Sequence, residues 1–224
     1  KSATPLVDGR SWTALKMGNV VVAGDVNLGL DGVTAQITVD ALDLNLSSDA
    51  LPPLTPPARL DWTRAFDLDG DGEFDDLLDP GAELPTPVEL AIDFASSLQL
   101  RVVGTLTGTG AYTYDPEFRD ELTDVDTDDV TLNNVMLTFG DVRLTGTAEF
   151  ALVKRSVTAD VDGTGTGSLL TNGELTSLAL TVAGLGVHVE DVAHISVSGQ
   201  LALATLKSAT PLVDGRSWTA LKMG

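Results

Sequence analysis

In the stretch NVVVAGDVNLGL, Val20, Val22, Gly24, Val26, Leu28 and Leu30 alternate with mostly polar neighbours. A period of two is the mark of a half-buried β-strand. Asp31-Gly32 follows, a dipeptide favoured in two-residue hairpins. It predicts Leu30 opposite Val33, Leu28 opposite Ala35, Val26 opposite Ile37 and Gly24 opposite Val39, apolar against apolar on one face. Gly18-Asn19 predicts a second turn, with Met17 opposite Val20 and Leu15 opposite Val22. Residues 11–46 are therefore expected to form a three-stranded antiparallel meander.

The pattern recurs. VRLTGTAEFAL sets Val142, Leu144, Gly146, Ala148, Phe150 and Leu152 on one face, and Gly140-Asp141 before it predicts Phe139 opposite Val142 and Leu137 opposite Leu144. ISVSGQLAL and LRVVGTLTG follow the same plan. The motif, apolar-x-apolar-x-Gly-x-apolar-x-apolar, is centred at Gly24, Gly104, Gly146 and Gly199. A mid-strand glycine implies a bend or a close approach of another group. Further turns are expected at Asn172-Gly173 and in a four-residue loop, Val153 to Ser156. Connections this short leave no room for parallel crossovers. The chain is expected to be all-β, an antiparallel meander of about ten to fourteen strands. Its expected form is an elongated sandwich-like module or a β rod.

One segment breaks the alternation. LSSDALPPLTPPARLDWTRAF carries four prolines between Pro52 and Pro57. It reads as an insertion, residues 48–86, between the scaffold segments 19–47 and 87–206. A short helical turn is expected near Pro57, because proline suits a first helical turn. Residues 114–129 form a second irregular stretch.

Residues 1–18, KSATPLVDGRSWTALKMG, recur without change as residues 207–224. The duplicate follows directly after the strand-like run ISVSGQLALATL. This favours one 206-residue unit of a tandem array, residues 1–206, with residues 207–224 beginning the next. The alternative is an engineered duplicate end. The chain has no initiator Met and reads as interior sequence.

Composition sharpens the picture. Net charge is −20, and the duplicated segment is +2, so one unit carries −22. Such a surface repels nucleic acid and attracts divalent cations. Cysteine is absent, which excludes disulfides and thiolate chemistry. No apolar run is long enough for a membrane-spanning helix. The two histidines, His188 and His194, sit in strand-like runs and are expected to be half-exposed. No nucleophile lies beside a base, and GTGTGSLL at 163–170 lacks the lysine of a phosphate cradle. The chain is not expected to be an enzyme. Trp12 and its duplicate Trp218 are expected in a core or a seam.

Candidate chemistry sits in FDLDGDGEFDDLLDPG. Asp67, Asp69 and Asp71 alternate, Gly72 allows a sharp turn, Glu73 offers a backbone carbonyl and Asp75 a further oxygen. Hard oxygen donors at this spacing wrap one hard cation, here Ca²⁺. Phe74 is expected to anchor the loop. The loop resembles those of EF-hand and dockerin modules. Leu78 stands where an EF-hand has its closing glutamate, so the match is closer to shorter DxDxDGxxD loops of extracellular repeat modules. That likeness implies modest affinity, about 10⁻⁴–10⁻³ M. Asp124, Asp126 and Asp128 form a weaker second candidate, without the glycine.

Taken with the duplicated segment, the strands NVVVAGDVNLGL, DVRLTGTAEFAL and AHISVSGQLALATL and the loop DLDGDGEFDD resemble repeats of giant bacterial surface proteins. These include RTX- or BIg-type adhesins and filament-forming repeat proteins. The resemblance covers about a quarter of the chain. It implies an extracellular or cell-surface, calcium-stiffened, structural module whose partners are neighbouring copies of itself. Those copies are either covalent repeats or separate subunits that exchange the strand. An adhesive domain binding glycan or a surface through residues 48–86 and 111–129 is the alternative. A lipid-conducting β-groove has similar strands, but the acidic insertion argues against it.

Overall fold

The fold is seen in a computed structural model. It describes residues 9–27, 32–49, 57–114, 130–163, 165, 169–189, 193–208 and 215–224. Nine strands form one antiparallel sheet: β1 (Arg10–Asn27), β2 (Gly32–Asp49), β3 (Leu98–Gly108), β4 (Gly110–Tyr114), β5 (Val130–Phe139), β6 (Val142–Asp160), β7 (Leu169–Val189), β8 (Ala193–Lys207) and β9 (Ser217–Met223). The all-β antiparallel expectation holds. The described strands share one hydrogen-bonded sheet, and several are longer than the expected turns would allow. The main path across it is β1-β2-β3-β6-β7-β8-β9. Where β3 stops, the end of β5 pairs with both β2 and β6, and β4 lies against β5.

The Gly140-Asp141 hairpin has the expected register, Phe139 with Val142 and Leu137 with Leu144. Three expected turns are absent. β1 runs straight through Gly18-Asn19, so Met17 pairs with Leu42 and Leu15 with Leu44 rather than folding back on Val20 and Val22. Asn19 takes φ 54° within the strand, a local kink that leaves the ladder unbroken. β7 likewise runs through Asn172-Gly173. Asn172 has φ 57°, and the ladder with β6 slips there as a bulge, the usual way to absorb an extra residue. Residues Val153 to Ser156 lie inside β6. The β1–β2 hairpin also closes in another register: Asn27 pairs with Gly32 and Val26 with Val33. Residues 28–31 lie outside the described set. The register differs by four residues from the two-residue turn at Asp31-Gly32, so every side chain keeps its face.

The two faces differ. On one, Met17, Leu42, Val102, Leu152, Leu178, Leu203 and Leu221 form an unbroken apolar row across seven strands. On the other, the adjacent row runs Lys16, Asp43, Arg101, Val153, Ser177, Ala204, Ala220. The segment between β2 and β3 folds over the β1 end of this second face. Its buried Trp62, Ile92 and Phe94 pack with Trp12, Ala14, Leu60, Phe66, Leu78 and Leu98. The short helical turn expected there is a 3-10 turn at Trp62–Arg64, with Asp61 accepting from the Thr63 N–H. A second lies at Pro80–Glu83. No helix among the described residues is long and apolar enough to cross a membrane.

Candidate functional site

The insertion is pinned to the sheet by polar groups at the centre of its apolar contact. Asn45 of β2 is fully buried. Its Oδ1 accepts from Trp62 Nε1 at 3.0 Å, and its Nδ2 donates to Leu60 O at 3.0 Å and Ala95 O at 3.4 Å. Lys16 Nζ donates to Ala91 O at 2.7 Å and to Asp93 Oδ1 at 2.9 Å. Trp12 Nε1 donates to Ala58 O at 2.9 Å. Arg59 reaches across to Ser96 O and Ser156 Oγ. Burial lowers the Arg59 pKa, and the charge of Glu174 partly offsets this. For Asp93, burial alone pushes the pKa up. The hydrogen bond and charge of Lys16, its own backbone and the charge of Arg101 outweigh that and hold it below the usual carboxylate range.

The acidic loop hangs from this block. Asp67, Asp69 and Asp76 each bring a carboxylate oxygen within 4.8 Å of the others. Asp67 and Asp69 were expected ligands. Asp76 was not; the ninth-position rule selected its neighbour Asp75. The carboxylates of Asp71, Glu73 and Asp75 are not part of the group, although the oxygen expected from Glu73 was its backbone carbonyl. Asp67 accepts from Gly70 N (2.7 Å) and Gly72 N (3.2 Å), Asp69 from Asp71 N, and Asp71 from Glu73 N. Asp76 Oδ2 accepts from Leu68 N at 2.5 Å and Asp69 N at 3.2 Å, and so closes the loop back on its start. Gly70 and Gly72 have φ of 79° and 92°, where a side chain would be strained. All-oxygen donors around a tight glycine turn suit a hard cation. Phe74 is 61% exposed and does not anchor the loop. Phe66 does, packing against Trp62 at 5.7 Å between ring centroids while its carbonyl accepts from Asp76 N. Asp124, Asp126 and Asp128 lie outside the described residues.

The histidines are not alike. His188 is 3% exposed, contrary to the half-exposed expectation, whereas His194 is exposed. His188 sits between Arg143 and His194 in adjacent strands, with the Tyr112 ring 5.9 Å away. Arg143 stacks 4.0 Å over Tyr112 and donates to Gly140 O. Period-two alternation cannot tell that β4 and β5 bring Tyr112 over this position.

The duplicated segment supplies both outer strands of the seven-strand path. Among the described residues β1 pairs only with β2, and β9 only with β8. Six antiparallel steps separate them, so β1 and β9 run in the same direction. No family model, curated protein or solved structure matches the chain.

Proposed function

We propose that the chain is a structural, non-enzymatic repeat module of a long extracellular bacterial fibre or surface adhesin. Neighbouring copies join through the duplicated strand, and calcium stiffens each unit. One observation carries this reading: two copies of one sequence form the opposite edges of a single sheet, running in the same direction. An open edge invites uncontrolled pairing, and a unit that ends on its own first strand answers that hazard by repetition. The charge of −22 per unit favours an ion-rich exterior over contact with nucleic acid or anionic lipid. The Asp67, Asp69 and Asp76 group supports cation binding, with calcium the ion that oxygen donors and a flexible loop suit.

The test is a two-unit chain, residues 1–206 followed by residues 1–224, studied by small-angle scattering and calorimetry. The expected result is an extended particle, a higher melting midpoint with calcium than with chelator, and weaker calcium uptake in Asp67→Asn and Asp76→Asn. Two units that tumble independently, with no heat of calcium binding, refute it. A second reading, a groove for lipid acyl chains, is favoured by the apolar row from Met17 to Leu221. Lipid that stays with the detergent-free protein through gel filtration supports that reading over the fibre.

A further inference from the structure

We infer that β9 is a docking strand for the insertion-bearing edge of another copy of this chain, with Trp218 and Lys222 entering the receptor that holds Trp12 and Lys16. The inference rests on the reading that copies join through the duplicated segment, and specifies how.

The receptor is already visible at the other edge. Trp12 donates to Ala58 O, Lys16 binds Ala91 O and Asp93, and Ala14 packs on the Trp62 cluster. Their duplicates Trp218, Ala220 and Lys222 stand on the same face of the sheet, because the row that begins at Lys16 ends at Ala220. Ala220 and Lys222 are exposed there. The local conformation is shared: Arg10 lies 5.6 Å from the Trp12 ring, and Arg216 lies 5.6 Å from the Trp218 ring. β9 is therefore already shaped as β1 is, without the block that covers β1.

The backbone edges fit as well. Gly224 and Gln200 exchange both backbone hydrogen bonds, at 2.9 and 3.0 Å. Even-numbered residues of β9 thus point their N–H and C=O toward β8, and odd-numbered ones point away, since the two sets alternate along a strand. For L-residues, strand direction and side-chain face together fix which way these groups point. β1 has the same direction and the same face, but its partner β2 lies on the opposite side. Its odd residues therefore bond β2, and its even residues point outward. One strand can satisfy β8 with its even residues and a new β2 with its odd residues, with no group used twice. The row gained across one unit is two residues, from Lys16 to the duplicate of Ala14. Each added unit advances about 29 Å across the sheet and slips about 7 Å along the strands.

The experiment is residue-resolved amide exchange. In the 224-residue chain, Thr13, Leu15 and Met17 are expected to exchange about tenfold or more slowly than Ala14 and Lys16, while in β9 the order reverses, with Ala220 and Lys222 slow and Thr219 and Leu221 fast. In the two-unit chain both sets become slow at the junction. Lys222→Ala there weakens the protection of the odd junction residues and, because Lys222 is exposed in the single chain, leaves that chain's melting unchanged. The same parity in both copies, or odd junction amides that stay fast in the two-unit chain, overturns the inference. An extended, calcium-binding two-unit chain whose odd junction amides stay fast overturns the docking geometry and leaves the fibre reading standing, whereas units that tumble independently overturn both.

Discussion

Asn45→Ala tests whether the insertion is held by its buried polar contact or by apolar packing alone. The substitution strips the acceptor from Trp62 Nε1 and the donor from Leu60 O and Ala95 O. Asn45 is fully buried and Trp62 is 8% exposed, so water does not readily replace the lost partners. A buried group left without a partner costs about 1–3 kcal/mol, and a carbonyl with a second lone pair sits at the low end. One indole N–H and one under-satisfied carbonyl together give about 3 kcal/mol. In a chain of this size that lowers Tm by about 6–12 °C. Asn45→Asp is the sharper companion. It keeps the shape and the acceptor for Trp62 but sets a carboxylate oxygen against Leu60 O and Ala95 O. Burial raises the folded-state pKa of the new carboxyl above its unfolded value. Relative to the parent protein, that variant is therefore least destabilised below about pH 4, and its deficit grows as pH rises through the raised value. Thermal melts by circular dichroism, with the Trp62 indole N–H followed by NMR, separate undocking of the insertion from loss of the sheet. A cost below about 1 kcal/mol for Asn45→Ala, or an Asn45→Asp variant indifferent to acid, refutes the argument.

Arg101→Ala should cost about 3–5 kcal/mol in urea titrations, because it leaves a buried carboxylate unpaired. Asp43 is fully buried and both its contacts with Arg101, from Nε and Nη2, fall on Oδ2. Replacing both members by Asp43→Leu and Arg101→Met should cost less than breaking the pair. Gly104→Ala should cost about 1–3 kcal/mol, since an added Cβ would sit 2.3 Å from Thr38 O and 3.1 Å from Phe150 Cζ, and a thermal melt reads it. The Asp93 pKa lies below its unfolded value, so its contribution is complete above the ordinary value of about 3.9 and is lost as pH falls through the lower folded value. Lys16→Met should therefore lower stability at neutral pH and flatten the acid limb, with little change below the folded Asp93 value.

Local features of the fold were legible and non-local ones were not. The Gly140-Asp141 hairpin could be read because turn and pairing lie within a few residues. Gly18-Asn19 and Asn172-Gly173 have the same letters as a turn. An asparagine at positive φ serves a kink or bulge equally well, however, and the partner strand decides which forms. β2 and β6 continue past these points, so β1 and β7 continue too, to 18 and 21 residues. The β1–β2 register escaped for a related reason. A slip of four residues leaves every apolar residue on its face, so hydrophobic pattern is blind to it. In the acidic loop the spacing pointed to Asp67 and Asp69, whose carboxylates lie close to that of Asp76. Asp75 and Asp76 differ only in which way the chain turns after Phe74, and the Asp76 N–H bond to Phe66 O settles that turn.

In the proposed reading the acidic loop and the joint are not separate features. Asp76 closes the loop through Leu68 N and Asp69 N while its own N–H holds Phe66 O. Phe66 stacks on Trp62, Trp62 bonds Asn45, and the same cluster takes Trp12 and Ala14 of the duplicated strand. Four contacts thus connect the carboxylates to the duplicated strand, through which copies are proposed to join. An ion drawing Asp67, Asp69 and Asp76 together tightens the block that receives this strand, by an amount limited to its differential affinity for the docked state. Under the proposed reading, stiffening by calcium would act at the joint more than in the middle of the sheet. The long ladders of β6 and β7 lie further from the loop in the pairing order. The consequence is directional: chelation should loosen amides of β1 and of the two-unit junction before those of β6 and β7.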